Sequence, residues 1–436
     1  MAKICVLGTG YVGLVSGACL ADFGHNVVCV DIDKPRIDTL ITGEIPIYEP
    51  GLKDVVARNV AAERLAFTTD LKHAVQVSDV VFIAVGTPPR EDGSTDMSYV
   101  FSAAEDLARH LNGYKVIVQK STVPVGSARR VSEIIKSNAP AGAEFDFVSN
   151  PEFLREGSAI EDFMRPNRVV IGADTDRARN AMKEVYRPLY LLETPIVSTT
   201  LESAEMIKYA SNAFLATKIS FVNEIAAICE RTGAVVDDVA RGVGLDGRIG
   251  SKFLHAGIGY GGSCLPKDVS SLIHLSREVG YEPAIIAAVH RLNDGLADQA
   301  LDKLQAAVGE LKGKTVGLLG LSFKPNTDDL REAPALKMVD RLLAAGANVK
   351  AFDPIAMDNF RREIEANVSF GKNAYECAED CDAVLLVTEW NEFRELDFRR
   401  LSSLMNGNVF VDCRNVYKPG HVESYGLKYE SFGRGN

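Results

Sequence analysis

Over the first 200 residues, short runs rich in β-branched and aliphatic side chains alternate with helical sequence. KICVLG, NVVCVD, VVFIAV, KVIVQKST, FDFVSN and RVVIG read as strands. Such alternation predicts a mainly parallel sheet with helices on both faces. Residues 201–233 then run without Pro or Gly until Gly233, which predicts one long helix entered at Thr200 or Ser203 and stopped by that glycine. Helical sequence continues to about residue 308, broken by a Gly-rich segment at 257–262. A second alternation follows, with TVGLLG, NVKAFD, AVLLVTE and NVFVDC as strands. Two α/β units joined by a long helix suggest a cleft between them, where ligands of two-domain enzymes commonly lie.

The chain has 436 residues, 46% hydrophobic and 25% charged, the balance of an ordinary globular protein. At about 150 residues per domain it has room for roughly three. Lys and Arg number 48 against 59 Asp and Glu, a formal charge of −11. Nucleic acid and anionic membranes are therefore poor partners, and an anionic ligand needs local cations. MAKICVLGTG enters a strand directly, without the parts of a secretory signal, and nothing approaches the 18 apolar residues of a membrane span. The eight cysteines lie mostly in apolar runs with no CxxC spacing, so reduced thiols in a cytoplasm are expected. No metal site is expected.

The first strand runs into Gly8-Thr9-Gly10-Tyr11-Val12-Gly13, a helix, a second strand and then Asp31, 18 residues after Gly13. Glycines there permit a tight turn, approach of backbone to a pyrophosphate and close helix packing, while the helix N-terminus favours the anion. Asp31 suits a ribose diol and repels a 2′-phosphate, which points to NAD, a preference that Lys34 and Arg36 soften. The expected fold class is α/β: an N-terminal Rossmann-type dinucleotide-binding domain at 1–200, a helical middle domain with a long connecting helix at 201–308, and a C-terminal Rossmann-like α/β domain at 309–436. Two Thr/Pro/Gly segments, around Thr87 and Thr122, follow later strands, where the carboxyl ends of a doubly wound sheet face the ligand. Glu152 and Glu156 of NPEFLREG are four apart and can share one face of a helical turn. Lys208 and Asn212 are also four apart, on the long helix, where an ammonium can steady an oxyanion or move a proton and an amide can fix a hydroxyl.

Gly257-Ile258-Gly259-Tyr260-Gly261-Gly262-Ser263-Cys264-Leu265-Pro266-Lys267-Asp268 is the sharpest signal. The glycines would bring backbone close to a ligand, and Pro266 marks a first helical turn, placing Cys264 just before a helix N-terminus. That position and Lys267 favour the thiolate. A dinucleotide fold with an activated thiol suggests a reaction that goes beyond alcohol to aldehyde. The thiolate adds to the aldehyde as a thiohemiacetal, a second hydride leaves, and the thioester is hydrolysed to a carboxylate, with two NADH formed.

With these motifs in place the chain resembles the UDP-glucose and GDP-mannose dehydrogenases, which oxidise a sugar C6 alcohol to the uronic acid. GTGYVG, STVPVGS, NPEFLREG, KYASNAF, GRIGSKFLHAGIGYGGSCLPKD, LSFKPNTDDLREAPA and VFVDCRNVY stand in the family's order across nearly the whole chain. The resemblance implies Cys264 as nucleophile, Asp268 and Thr122 on the hydrolytic water and proton, Lys208 and Asn212 on the C6 oxygen, and Glu152 and Glu156 in support. For NAD it implies Gly8, Gly10, Tyr11, Val12, Gly13, Asp31, Arg36, Thr87, Thr122, Glu156, Lys267 and Arg331. For a nucleotide sugar such as UDP-glucose it implies Glu152, Phe153, Leu154, Lys208, Asn212, Phe253, Gly261, Lys324 and Arg414. Arg248 would reach a neighbouring subunit's site, implying a homodimer or larger homo-oligomer. GDP-mannose or another UDP-hexose is the alternative substrate. A two-electron 3-hydroxyacid dehydrogenase is a further alternative that leaves Cys264 and the third domain unexplained.

Overall fold

The computed structural model describes residues 1–364 and 368–434. Residues 365–367 and 435–436, all within the stretch expected as the third domain, lie outside the described residues. The chain divides into two compact units, Met1–Ser211 with His274–Val279, and Asn212–Ile273 with Gly280–Asn436.

The first unit is built on an eight-stranded sheet. Its strands are β1 Lys3–Leu7, β2 Asn26–Val30, β3 Leu65–Thr68, β4 Val80–Ile83, β5 Tyr114–Gln119, β6 Glu144–Ser149, β7 Val169–Ala173 and β8 Ile196–Thr199. The order is β3-β2-β1-β4-β5-β6-β7-β8, and only the β6–β7 pairing is antiparallel. Side chains alternate across β1: Ile4 and Val6 enter one apolar cluster, Cys5 and Leu7 the other. Both faces are covered, which is why these strands read as unbroken apolar runs. Strand order reverses between β1 and β4, which opens a crevice beyond their carboxyl ends.

The second unit carries a six-stranded, wholly parallel sheet of β9 Thr315–Leu319, β10 Asn348–Phe352, β11 Val368–Phe370, β12 Ala383–Leu386, β13 Val409–Asp412 and β14 Lys428–Ser431. Its order, β11-β10-β9-β12-β13-β14, repeats the reversal seen in the first sheet. Helices Val236–Gly244, Ala284–Asp294 and Leu296–Val308 belong to this unit. One core joins Val222, Ala226, Val236, Leu296 and Leu304 to Val316, Leu318, Val349, Leu385 and Val411, so helical and sheet sequence bury their apolar faces against each other.

The long helix runs Leu201–Thr232. Of the two expected caps, Thr200 closes it, its Oγ1 accepting from the Ser203 amide at 3.1 Å. Four strands went unanticipated: β3, β8, β11 and β14. They are the four outer strands of the two sheets. An edge strand is covered on fewer sides and tolerates polar residues, so LAFT, IVST, VSF and KYES carry little apolar signal.

Candidate active site

In the first unit, the three glycines after β1 divide their work. A Cβ on Gly8, whose φ is +96°, would sit 2.6 Å from the Ala84 carbonyl oxygen, and one on Gly13 would sit 2.0 Å from the Gly8 carbonyl oxygen. Those two glycines are required by packing. Gly10 has nothing within 4 Å of its missing Cβ and caps helix Tyr11–Asp22 without any side-chain bond. The first-turn amides of that helix, including those of Tyr11 and Val12, thus stand at an open N-terminus that fits a pyrophosphate. Asp31 follows β2. Its Oδ2 accepts from Thr9 N at 2.7 Å and Thr9 Oγ1 at 2.8 Å, and its Oδ1 from Asp33 N at 3.0 Å. Burial opposes its charge, but these bonds and Arg36 outweigh it and hold the carboxyl below its usual value. The anion that a ribose diol would meet is thereby kept. Arg36 is the third residue of the next helix and leans toward Asp33 at 3.8 Å. Thr87 and Thr122 are half-buried in the loops after β4 and β5, which Ser121 Oγ ties together by donating to the Val85 carbonyl at 2.6 Å.

NPEFLREG is not helical, so the expected shared face for Glu152 and Glu156 does not form. The segment leaves β6 as irregular chain, and Glu152 turns inward alone. Pro151 supplies no amide donor and the Glu152 carboxylate accepts the Leu154 amide at 2.5 Å instead, a local bond that competes with a helical turn. Its other oxygen meets Lys208 Nζ at 2.8 Å, both side chains about 95% buried. Burial works against the Glu152 charge, yet Lys208, the Leu154 amide and Lys120 together hold its pKa below the usual value. Phe153 lies beside this pair, its ring centroid 5.5 Å from Lys208 Nζ and 3.4 Å from the Arg168 guanidinium. Leu154 is half-buried among the first unit's apolar residues, and Glu156 opens the turn that ends at Gly157.

In the second unit, Cys264 immediately precedes helix Leu265–Glu278, with Pro266 in its first turn as the sequence indicates. Seven of the eight cysteines are buried; Cys264 is half-exposed. Burial pushes the thiols of Cys19, Cys29, Cys381 and Cys413 up to about 12, whereas the Cys264 sulfur lies at a helix start, 3.5 Å from Ser263 Oγ. One turn on, the Asp268 carboxylate accepts from Asn212 Nδ2 and from Lys267 Nζ, each at 2.6 Å. Asp268 is almost fully buried, and Asn212 also lies inside rather than on a solvent stripe.

The glycine run before Cys264 faces protein, not open space. A Cβ on Gly257 would meet the Cys413 carbonyl oxygen at 2.5 Å, on Gly261 the Glu332 carbonyl oxygen at 2.1 Å, and on Gly262 the Phe323 ring at 2.6 Å. These glycines let one backbone segment lie against another on the side where a Cβ would stand. Arg414 is drawn into the same packing, donating to the carbonyls of Val387 at 2.7 Å and Gly259 at 2.8 Å and approaching Glu389 at 3.2 Å. Lys324 lies 5.3 Å from the Phe323 ring centroid, and Arg331 forks onto Asp329. Arg248 is exposed and pairs with Asp246 two residues back. Phe253 takes a left-handed φ of +66°, a strain rarely seen in a bulky residue.

Several residues around the first-unit cluster escaped sequence reading. Lys120 is fully enclosed, donating to Asn150 Oδ1 at 3.2 Å and Tyr186 OH at 3.3 Å. Its signal was a lysine inside an apolar strand run. Glu205, three residues before Lys208 and so on its face of the helix, caps the amides of Gly126 at 2.7 Å and Ala128 at 2.8 Å. Glu49 and Arg168 carry no spacing clue at all. Among the described residues, no helix is long and apolar enough to cross a membrane.

Residues 2–190 match the UDP-glucose/GDP-mannose dehydrogenase family, NAD binding domain. Residues 202–295 match that family's central domain and 317–419 its UDP binding domain. The chain is 54% identical to a UDP-glucose 6-dehydrogenase of Rhizobium meliloti, over 99% of each chain. It is 50% identical to UDP-glucose 6-dehydrogenase TuaD of Bacillus subtilis, over 100% of this chain and 94% of that one. A solved UDP-glucose dehydrogenase from Pyrobaculum islandicum superposes with a TM-score of 0.94 at 39% identity, covering 100% of this chain and 98% of that one. With a Gly8–Gly13 turn shaped for a dinucleotide and family matches along most of its length, the chain belongs to the UDP-glucose/GDP-mannose dehydrogenase family and uses NAD through its first domain.

Proposed function

We propose that this protein oxidises the C6 alcohol of UDP-glucose to the carboxylate of UDP-glucuronate, consuming two NAD and one water per sugar. The observation that carries the proposal is Cys264: the half-exposed thiol among eight, at a helix start, one turn before Asp268, which is buried with Asn212 and paired with the half-buried Lys267. NAD supplies the hydride acceptor for both oxidations. Lys208 holds the C6 oxygen and takes part in moving its proton, with Glu152 fixing the ammonium. The aldehyde carbon accepts the Cys264 thiolate, giving a thiohemiacetal whose remaining C6 hydrogen departs as hydride. Water, held by Thr122, then attacks the resulting thioester and gives its proton to Asp268; the C–S bond breaks and the thiolate returns with the carboxylate product. Asn212 orients Asp268 and the C6 oxygen. Glu156, Arg36, Thr87, Lys267 and Arg331 serve the cofactor. Phe153, Leu154, Phe253, Gly261, Lys324 and Arg414 serve the nucleotide sugar, within a three-part division of the chain at about 200 and 308.

The enzyme acts as a cytoplasmic homo-oligomer in this proposal, with Arg248 serving the neighbouring subunit. Support comes from the long helix, where Phe214 (64% exposed), Phe221 (50%) and Ile228 (51%) repeat every seven residues on one face. Such a stripe matches a second copy of itself.

Counting NADH formed per sugar tests the reaction, with UDP-glucose, GDP-mannose and an N-acetylated UDP-hexose run side by side. Two equivalents from UDP-glucose, lost in Cys264→Ser, are expected. One equivalent would point to a plain alcohol dehydrogenase, and preference for another donor would reassign the substrate. A Cys264→Ser variant that still made two NADH would end the covalent route.

A further inference from the structure

The buried carboxylate of Glu49 lies in no recognised motif and takes no part in the chemistry above, yet it joins three distant segments. Only 7% of Glu49 is exposed. Its Oε2 accepts the Tyr11 hydroxyl and, at 2.6 Å, the Gly157 amide; its Oε1 accepts the Ala159 amide at 2.8 Å. The Gly157 amide also lies 3.2 Å from the Tyr11 oxygen, which closes a triangle. Every partner is a neutral donor. Burial and the adjoining carboxylate push the Tyr11 phenol far above its usual value, so it stays protonated and donates.

The partners are what give the cluster meaning. Tyr11 is the first residue of the helix that Gly10 opens, so its backbone amide faces the cofactor turn while its side chain leaves that turn for Glu49. Gly157 has a left-handed φ of +77° and ends the NPEFLREG loop, directly after Glu156 and four residues after Phe153. A buried carboxyl group whose two oxygens are engaged by three hydrogen bonds fixes geometry, because each lost bond leaves a polar atom without a partner away from water.

We infer that Glu49 is a positioning residue that locks the dinucleotide turn to the loop holding Glu152, Phe153 and Glu156, so that one carboxylate sets the affinity for both cofactor and sugar nucleotide. The inference rests on the proposed function, in which that turn takes NAD and that loop takes the sugar. Neither Glu49 nor the Tyr11 hydroxyl needs to touch either ligand.

The test uses the full-length protein with Tyr11→Phe, Glu49→Gln and the double variant. Calorimetry with NAD and with UDP-glucose is run beside steady-state kinetics. Tyr11→Phe removes one hydroxyl and no charge, so it serves even if Glu49→Gln folds poorly. Expected for Tyr11→Phe is a rise of roughly three- to tenfold in both dissociation constants and both KM values, larger than any fall in kcat, the scale of one hydrogen bond. The double variant should bind no more weakly than Glu49→Gln alone, since the hydroxyl then has no carboxylate to lose. A rise confined to NAD, additive losses in the double variant, or a kcat defect with both KM values unchanged would overturn the inference. A wild-type protein that binds neither ligand would instead overturn the proposed function, and calorimetry separates that case from the others.

Discussion

Lys208 and Glu152 form an ion pair at 2.8 Å in which neither side chain has appreciable contact with water, one partner fixed on the long helix and the other on irregular chain after β6. Removing Lys208 leaves the Glu152 charge with only the Leu154 amide and Lys120 to set against the cost of burial. Lys208→Met is therefore expected to cost about 3–5 kcal/mol of stability near neutral pH. The pH response should also reverse. In the wild type the folded Glu152 pKa lies below its unfolded value, so the carboxylate contributes stability present above the unfolded pKa and lost as pH falls through the folded one. In Lys208→Met burial raises that pKa, and stability from this group is instead lost as pH climbs above the usual carboxylate range. Denaturant midpoints of both proteins across pH 4 to 8 would read this; parallel curves would refute it.

Thiol labelling separates Cys264 from its seven companions without any turnover. Deep burial keeps the others out of reach, whereas the Cys264 sulfur sits half-exposed at a helix start. Iodoacetamide on the native protein should add one carbamidomethyl group, and a peptide map should place it on Cys264. The remaining seven should react only on unfolding. Native labelling spread over several cysteines, or absent from Cys264, would contradict the assigned role.

Much of this was readable from the chain because its signals are local. Gly8, Gly10 and Gly13 declare a turn by spacing, and Cys264 declares itself by standing in a polar loop before a proline-started helix. The outer strands were illegible because half-covered strands need not be apolar, as KYES in β14 illustrates. Glu152 and Glu156 misled because four-residue spacing matters only inside a helix, and the Leu154 amide is turned onto Glu152 instead. Glu49 lies 108 residues from Gly157, and its role exists only once the fold has brought the two together. The glycines at 257, 261 and 262 are visible in the chain, but the backbone at 332 and 413 and the Phe323 ring that they pack against are distant in sequence and are not.

Lys120 gives a stability signature on the alkaline side. Burial, with the like charge of Lys208, pulls its pKa down from 10.5 to about 8, while Glu152 pulls the other way. Between those two values the unfolded chain binds more protons at this site than the folded one, so folding becomes more favourable as pH rises. Comparison with Lys120→Met isolates the effect, because other groups cancel and the lost bonds to Asn150 and Tyr186 enter as a constant. The stability of wild type relative to the variant should increase between pH 7.5 and 10. A flat difference would mean that the ammonium is better hydrated than its enclosure indicates.

The exposed stripe on the long helix makes the last prediction. Phe214, Phe221 and Ile228 are half or more exposed on a helix whose other faces are buried, and an apolar row of that length on a protein with a charge of −11 is a liability unless covered. A two-fold axis beside Phe221 would lay each copy's row against the other, a self-complementary contact in which every apolar residue is used twice. Placing a carboxylate there sets two like charges close together in a drying interface. Phe221→Asp should thus shift the protein to monomer in sedimentation velocity at micromolar concentration, while near-ultraviolet circular dichroism stays native because Phe221 packs outside the core. If Arg248 serves a neighbouring site, dissociation should also raise the KM for UDP-glucose, and Arg248→Ala should raise it without changing the sedimentation coefficient. A wild type that sediments as a monomer, or a Phe221→Asp variant that remains assembled, would remove the helix from the interface.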